Sequence, residues 1–304
     1  MRISTSWAQK TAANAMLDQQ SKLQQTQMQL STGKKILTPS DDPAAAARII
    51  DFNQSITQTQ QYQSNSDAAR QRLSMEDGVL QNATTLLQRI NELGIQGLNA
   101  TTSSSDRTII ATEMEGLNQQ LLGLANTKNA NGEYLFSGFK STTLPFSKNT
   151  VTDGYTYAGD ANQRAVQIGE TRQVADGDTG INVFGTPTNS LPAAGSNANI
   201  FEAIDRFAAD LKANTPNSAS LDDISKASDK ILTVDSSVGA RLNVLDRQDG
   251  INSDSVLNMQ TALSATQDLD YASAISQLNL QTVALQAAQQ VYSQVQKLSL
   301  FNYL

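Results

Sequence analysis

The sequence predicts a mainly α-helical protein with a small β-rich insertion, in which a long antiparallel helical bundle has its N- and C-terminal helices paired as a coiled coil. Three observations indicate this fold class. Apolar residues recur every seven positions near both ends of the chain, denser helical stripes lie between them, and short alternating runs separated by Asp-Gly turns occupy the middle.

The first predicted helix has a thin apolar stripe with one residue per heptad: Met16, Leu23, Leu30 and Leu37. Glutamines occupy the complementary core positions. One fully buried apolar side chain contributes about 1.5–3 kcal/mol, whereas each ordered residue costs about 1–2 kcal/mol of backbone entropy. We therefore expect that this helix does not persist alone.

The stretch LSTGKKILTPSDDPAAAARI, residues 30–49, interrupts the helical pattern. Gly33 stands where a helix needs a left-handed capping residue. Asp42 before Pro43 is an N-cap followed by proline at the first helical position. The first helix should therefore end near Thr32, and the second should begin at Asp42 or Pro43.

Two denser stripes follow, as is typical of an independently stable bundle. Their apolar residues are Val79, Ala83, Leu86, Leu87, Ile90, Leu93 and Leu98 in the first, and Ile110, Met114, Leu117, Leu121 and Leu124 in the second.

The pattern then changes to short strands and turns. Asn131-Gly132 is a strong turn signal followed by an aromatic, strand-like run. Further Asp-Gly pairs punctuate the alternating runs YTYAG and RAVQIGE, which predict strands. A stretch rich in Pro, Gly, Ser and Asn follows and reads as a linker.

Helical periodicity resumes at Ile200 and continues to the carboxyl end. The last helix repeats the spacing of seven and carries a wider stripe, with the residues Tyr271, Leu278, Leu285 and Tyr292, broadened by Ile275, Val291, Val295 and Leu298. Both ends of the chain are thus suited to pair with one another.

Composition excludes several function classes. The chain has no His and no Cys, so thiol nucleophiles, disulfides and the commonest metal ligands are absent. With 22 basic and 29 acidic residues, the net charge of −7 argues against binding to nucleic acid. DGDTG, residues 176–180, lacks the glycine and the closing Glu of a calcium loop and reads as a turn. We predict no catalytic site, cofactor or metal.

The amino terminus has no continuous apolar core of a secretory signal, and no window approaches a membrane span. We expect a chain without membrane insertion that is cytoplasmic or leaves the cell without a cleaved signal.

The adjacent acidic residues Asp222 and Asp223 are predicted to cap the start of a helix.

Several stretches together resemble the flagellin superfamily, and more closely its hook–filament junction branch. They are LSTGKKILTPSDDPAAAARI, LLQRINELGIQGLNAT, EYLFSGF and the ending LDYASAISQLNLQTVALQAAQQVYSQVQKLSLFNYL. The chain length, the Phe-Ser-Gly run and the ending SLFNYL favour the junction branch over flagellin proper.

This resemblance implies a structural subunit, not an enzyme, that joins the hook, through a neighbouring hook-associated junction protein, to the flagellin filament and is required for filament assembly and swimming. It implies self-assembly into a ring or short helical tube. It also implies an extracellular location after export by the flagellar type III apparatus, with help from an export chaperone.

The resemblance also suggests a domain division. The expected parts are an inner-layer assembly helix and loop at 1–41, the first part of the bundle at 42–140, a β-rich outer domain at 141–185, a linker at 186–199, the second part of the bundle at 200–267, and an inner-layer assembly helix at 268–304.

The predicted assembly interface comprises Met16, Leu23, Leu30, Leu37, Asp41, Asp42, Ile275, Leu278, Leu285, Tyr292, Val295 and Leu298. Gln88, Arg89 and Leu93 fall where flagellin is recognised by an innate-immune receptor, although a packed bundle face explains them as well. Two other functions stay open: a short flagellin, and a secreted coiled-coil effector or adhesin.

Overall fold

A computed structural model describes residues 2–196 and 199–297. Its helices are α1 Arg2–Thr32, α2 Pro43–Leu98, α3 Ser104–Ala125, α4 Gly180–Phe184, α5 Ile200–Lys212, α6 Ser218–Gln267 and α7 Tyr271–Lys297. Its strands are β1 Phe146–Lys148, β2 Tyr155–Tyr157, β3 Ala165–Gln167 and β4 Gln173–Ala175. The predicted fold class, helical with a small β insertion, is confirmed.

The chain forms two compact units. The terminal unit comprises residues 1–58 and 254–304, and the body unit comprises residues 59–253. The divisions fall inside α2 and α6, whereas the sequence-based domain boundaries at 41/42 and 267/268 fall at the breaks between helices.

In the terminal unit, α1 packs against α7. The Gln19 side-chain amide donates to the carbonyl of Gln281 at 3.4 Å, and Gly33, at the end of α1, lies beside Tyr271, at the start of α7. The two helices therefore run antiparallel, as predicted. Their seven-residue stripes account for this pairing.

Two helix breaks lie side by side in the terminal unit. α1 ends at Thr32 and α2 begins at Pro43, both as predicted. The amide of Lys35 donates to the carbonyl of Gln267 at 2.7 Å, and the amide of Leu269 donates to the carbonyl of Gly33 at 3.0 Å. The α1–α2 break is thus joined by hydrogen bonds to the α6–α7 break.

The body unit has a continuous apolar core. Residues of the predicted stripes on α2 and α3 are buried in it, including Leu87, Ile90, Met114 and Leu121. α5 adds Ile200, Ile204, Phe207 and Leu211 at the predicted helical period. The matched spacing of these stripes is what lets the helices share one core.

An aromatic cluster joins the insertion to the helices of the body unit. The ring centroid of Phe146, on β1, lies 5.6 Å from that of Phe184 and 5.2 Å from that of Phe201. Phe136 contacts Phe184 edge to face at 5.2 Å. Such pairs add about 0.5–1.5 kcal/mol beyond the burial of their area. This cluster holds β1, α4 and α5 together.

The insertion contains two antiparallel hairpins, β1–β2 and β3–β4. Phe146 pairs with Tyr157 in the first, and Ala165 pairs with Ala175 in the second. The prediction of a strand immediately after Asn131-Gly132 was wrong, because that segment folds into turns. Phe136 from this segment instead fills the core of the body unit.

The expected capping role of Asp222-Asp223 was also wrong. The side-chain oxygen of Asn217 accepts the amide of Ala219 at 3.0 Å at the start of α6. Asp223 lies farther along the helix and accepts the amide of Gly195 at 2.7 Å. Asn217 is the better cap because it precedes the helix.

Candidate assembly interface

Six of the predicted interface residues lie along the α1–α7 pair and are half-buried: Met16, Leu23, Leu30, Leu278, Leu285 and Tyr292. Each recurs at seven residues, so each set lies on one helix face. Half-burial in the single chain shows that these side chains already contribute to contacts within their own unit.

The predicted acidic pair, Asp41 and Asp42, is exposed and organises its own loop. Asp41 accepts the amides of Thr38 at 2.9 Å and Leu37 at 3.0 Å. These two donors, that of Thr38 first, lower the pKa of Asp41 below its usual value. Asp42 accepts the amide of Ala45 at 2.9 Å and caps α2, as predicted.

The remaining predicted interface residues are less uniform. Leu37 is half-buried in the loop, and Ile275 is exposed on α7. Val295 lies within α7, although its side chain is not described, and Leu298 lies outside the described residues. The structure brings Ile275 to the surface of the single chain, where another molecule can reach it.

A second face of α7 carries exposed apolar residues that the sequence reasoning missed or assigned to the paired stripe. Leu280, Val283 and Val291 are 67%, 64% and 56% exposed. They recur at helical spacing, roughly half a turn around the helix from Leu278 and Leu285. The sequence does indicate this second apolar face, because no charged residue occurs between Asp270 and Lys297.

Helix α1 also presents apolar side chains to solvent. Trp7, the single tryptophan, is 70% exposed, and Leu17 and Met28 are exposed as well. All three lie within about 80° of one another around the helix axis, and so on one side of α1. Both partners of the α1–α7 pair therefore expose large apolar side chains.

The loop between α1 and α2 borders an apolar groove in the terminal unit. Its cavity volume is about 320 Å³. It is lined mainly by Ile36, Leu37, Pro39, Ala46, Ile49 and Ile50. Such a groove can accept an apolar side chain.

The three residues of the predicted immune-receptor contact do not share one surface. Gln88 and Arg89 are exposed on α2, and Arg89 donates to Glu113 on α3 at 2.8 Å. Leu93 is 2% exposed and packs in the core. The geometry therefore restricts any such contact to Gln88 and Arg89, and the contact stays a hypothesis.

Within residues 2–196 and 199–297, no group of three or more metal-binding side chains occurs. Over the same residues, no helix is long and apolar enough to span a bilayer. The features that stand out are exposed apolar faces, which are typical of protein–protein contact surfaces.

The profile of the bacterial flagellin N-terminal helical region matches residues 3–141. The flagellar hook-associated protein 3 of Escherichia coli K12 is 33% identical over 99% of both chains. The chain belongs to the flagellar hook-associated protein 3 family. Five flagellins are similar to this chain over only 35% to 46% of its length, which favours the hook-associated family over a short flagellin.

Solved hook-associated protein 3 structures agree with this membership. A hook-associated protein 3 from Legionella pneumophila has a TM-score of 0.65 and 26% identity, covering 71% of this chain and 98% of its own. A flagellar junction protein from the same organism has a TM-score of 0.59 and 27% identity, covering 73% and 100%. This chain is accordingly a structural protein of the bacterial flagellum with a junction role, and the predicted resemblance is confirmed.

Proposed function

We propose that this chain assembles into a ring or short helical tube that joins the hook, through a neighbouring hook-associated junction protein, to the flagellin filament. The observation that carries the proposal is helix α7, which has no charged residue from 271 to 296 and an exposed apolar face formed by Leu280, Val283 and Val291. A soluble monomer gains nothing from such a face, whereas burial of each side chain contributes about 1.5–3 kcal/mol.

The contacts in such an assembly are heterologous, because a ring or helical tube repeats head-to-tail interactions between unlike surfaces. The exposed face of α7 is one surface, and the exposed apolar face of α1 or the groove beside Ile36 supplies the other. The predicted interface residue Ile275 is available for the same contacts.

The chain supplies binding surfaces and catalyses no reaction in this proposal. We further propose that it reaches the extracellular flagellum through the type III export apparatus, unfolded and escorted by an export chaperone. The absence of Cys, and hence of disulfides, supports passage as an unfolded chain. The small number of buried side chains in the described part of the terminal unit supports its late folding, coupled to assembly.

The proposal is tested by Val283→Asp in a strain that lacks the native copy. We expect hooks without filaments by electron microscopy, flagellin shed into the medium, and no swimming, because burial of a new carboxylate is strongly unfavourable. Gln286→Asp adds the same charge at an exposed polar position of α7 and is the matched control.

Normal filaments with Val283→Asp would contradict the assigned surface. Hooks without filaments for both variants would show that an added charge on this part of α7 is harmful whether it replaces an apolar or a polar side chain, and would contradict the assignment of the contact to the apolar residues. Immunoblots of culture medium establish that both variants are exported, which separates failed assembly from failed export.

A further inference from the structure

The segment DGDTG, residues 176–180, which the sequence presents as a solvent turn, is entirely buried in the body unit. It follows β4 and precedes α4. Its two carboxylates are engaged within the chain, Asp176 with Arg164 and Asp178 with Arg241. The segment therefore anchors the β3–β4 hairpin to the helices.

Glu76 on α2 lies directly against this segment and is 2% exposed. The amide of Asp178 donates to its two oxygens, at 3.1 Å to Oε1 and 3.3 Å to Oε2. A Cβ added to Gly177 would lie 3.5 Å from Oε2. Glu76 thus packs against the backbone of residues 177–178.

The two nearby guanidinium groups, those of Arg241 and Arg72, form their ion pairs with other carboxylates than Glu76. Arg241 of α6 is committed to Asp178. Arg72, one turn before Glu76 on α2, donates to the carbonyl of Leu135 at 3.1 Å and lies 3.5 Å from Glu133. An ionised Glu76 would be a second buried carboxylate beside Asp178, which is unfavourable in a low-dielectric site.

We propose that Glu76 is a proton-dependent lock, which in its neutral form holds the DGDTG segment against α2 and α6 and on ionisation loosens the β3–β4 hairpin from the helices. Neutral Glu76 keeps a carbonyl oxygen for the amide of Asp178 and adds no charge next to it.

The electrostatics agree with this geometry. Burial, and secondly the charge of Asp178, raise the pKa of Glu76 to about 8, against the opposing influences of Arg241, of the hydrogen bond from the Asp178 amide and of Arg72. Because folding raises the pKa of Glu76, its bound proton stabilises the locked state. This stabilisation is complete below the unfolded pKa of 4.5 and is lost as the pH rises through about 8.

A second pair of carboxyl groups, Asp77 on α2 and Asp235 on α6, has to be separated from Glu76. Asp235 on α6 has a raised pKa because of burial and the nearby Asp77 on α2. Its titration occurs equally in the wild type and in a Glu76 variant. A comparison of the two proteins therefore isolates the proton held by Glu76.

The test is amide hydrogen exchange of residues 173–180 in the full chain across pH 5.5–9, corrected for the intrinsic exchange rate. Because one proton is released on opening, the opening equilibrium of the wild type should rise about tenfold per pH unit between roughly pH 5.5 and 7.5 and level off above about pH 8. Glu76→Gln should lose this dependence. Glu92→Gln, exposed on the same helix, should retain it.

An NMR titration of the Glu76 side-chain carboxyl carbon in the wild type keeps the proposal falsifiable even if Glu76→Gln fails to fold. A midpoint near the unfolded value of 4.5 overturns the lock, whereas a midpoint well above it supports it. Equal pH dependence of exchange in the wild type and in Glu76→Gln also overturns it.

Discussion

The terminal unit and the body unit use their apolar residues in opposite ways. In the described part of the terminal unit only Thr26, Ile56 and Ala274 are buried, while several large apolar side chains face solvent. The body unit buries a continuous core with an aromatic cluster around Phe146 and Phe201. The difference indicates that the body folds on its own contacts, and it supports our proposal that a neighbouring molecule completes the terminal unit.

The largest effect is expected in the body unit, where Phe201→Ala removes a fully buried ring. Loss of its contacts with Phe146 and Phe184 should lower the free energy of unfolding by about 3–5 kcal/mol. Chemical denaturation followed by circular dichroism measures this. Phe139→Ala, at a 58% exposed position, is the control and should change stability by less than about 0.5 kcal/mol. Equal losses would show that the body does not depend on this cluster.

An intermediate effect is expected for Leu285→Asp on the half-buried face of α7. A charge against α1 should destabilise the helix pair by about 1–3 kcal/mol and also abolish filament assembly. The unfolding of the body unit should not change. Hydrogen exchange of α1 and α7, together with electron microscopy of flagella, measures both outcomes.

Comparison with Val283→Asp sharpens this result, because Val283 lies on the outward face of the same helix. Val283→Asp should leave exchange of α1 unchanged and impair assembly alone. If Leu285→Asp destabilised the body as much as the helix pair, the independence of the two units would be contradicted.

The smallest effect is expected at the joint between the two helix breaks. Gly33 has φ +70°, and a Cβ there would lie 2.8 Å from the Tyr271 hydroxyl. Gly33→Ala should cost about 1–2 kcal/mol and speed exchange of the Leu269 amide, which donates to Gly33. Tyr271→Phe in the same chain should restore part of the loss by removing the close contact.

Gly116→Ala is the control for this substitution. Gly116 lies within α3 and has no atom within 4 Å of an added Cβ. Alanine there should stabilise the helix by roughly 0.5–1 kcal/mol. A loss of stability at Gly116, or none at Gly33, would show that backbone conformation does not decide the result.

Features fixed by neighbouring residues were predictable from the sequence. The end of α1 near Gly33, the start of α2 at Pro43 and the period of α5 all depend on signals within a few residues. The paired stripes of α1 and α7 were predictable because helical spacing reveals a shared face.

Features made by distant residues were not predictable. The contact between Glu76 and Asp178 joins positions 102 apart, and the burial of DGDTG follows from that contact rather than from its own polar sequence. Likewise, the aromatic run after Asn131-Gly132 suggested a strand. Phe136 instead packs against Phe184 of α4, a short helix that was not predicted from the sequence.

The lack of charge along most of α7 has a consequence for the proposed junction. Dissolved salt weakens attraction and repulsion between charges over about 8–10 Å, but it has no charge to act on along residues 271–296 of this helix. Contacts made through Leu280, Val283 and Val291 should consequently hold with similar strength in dilute and in concentrated media. We therefore expect that a junction built on this helix is insensitive to the ionic strength around it.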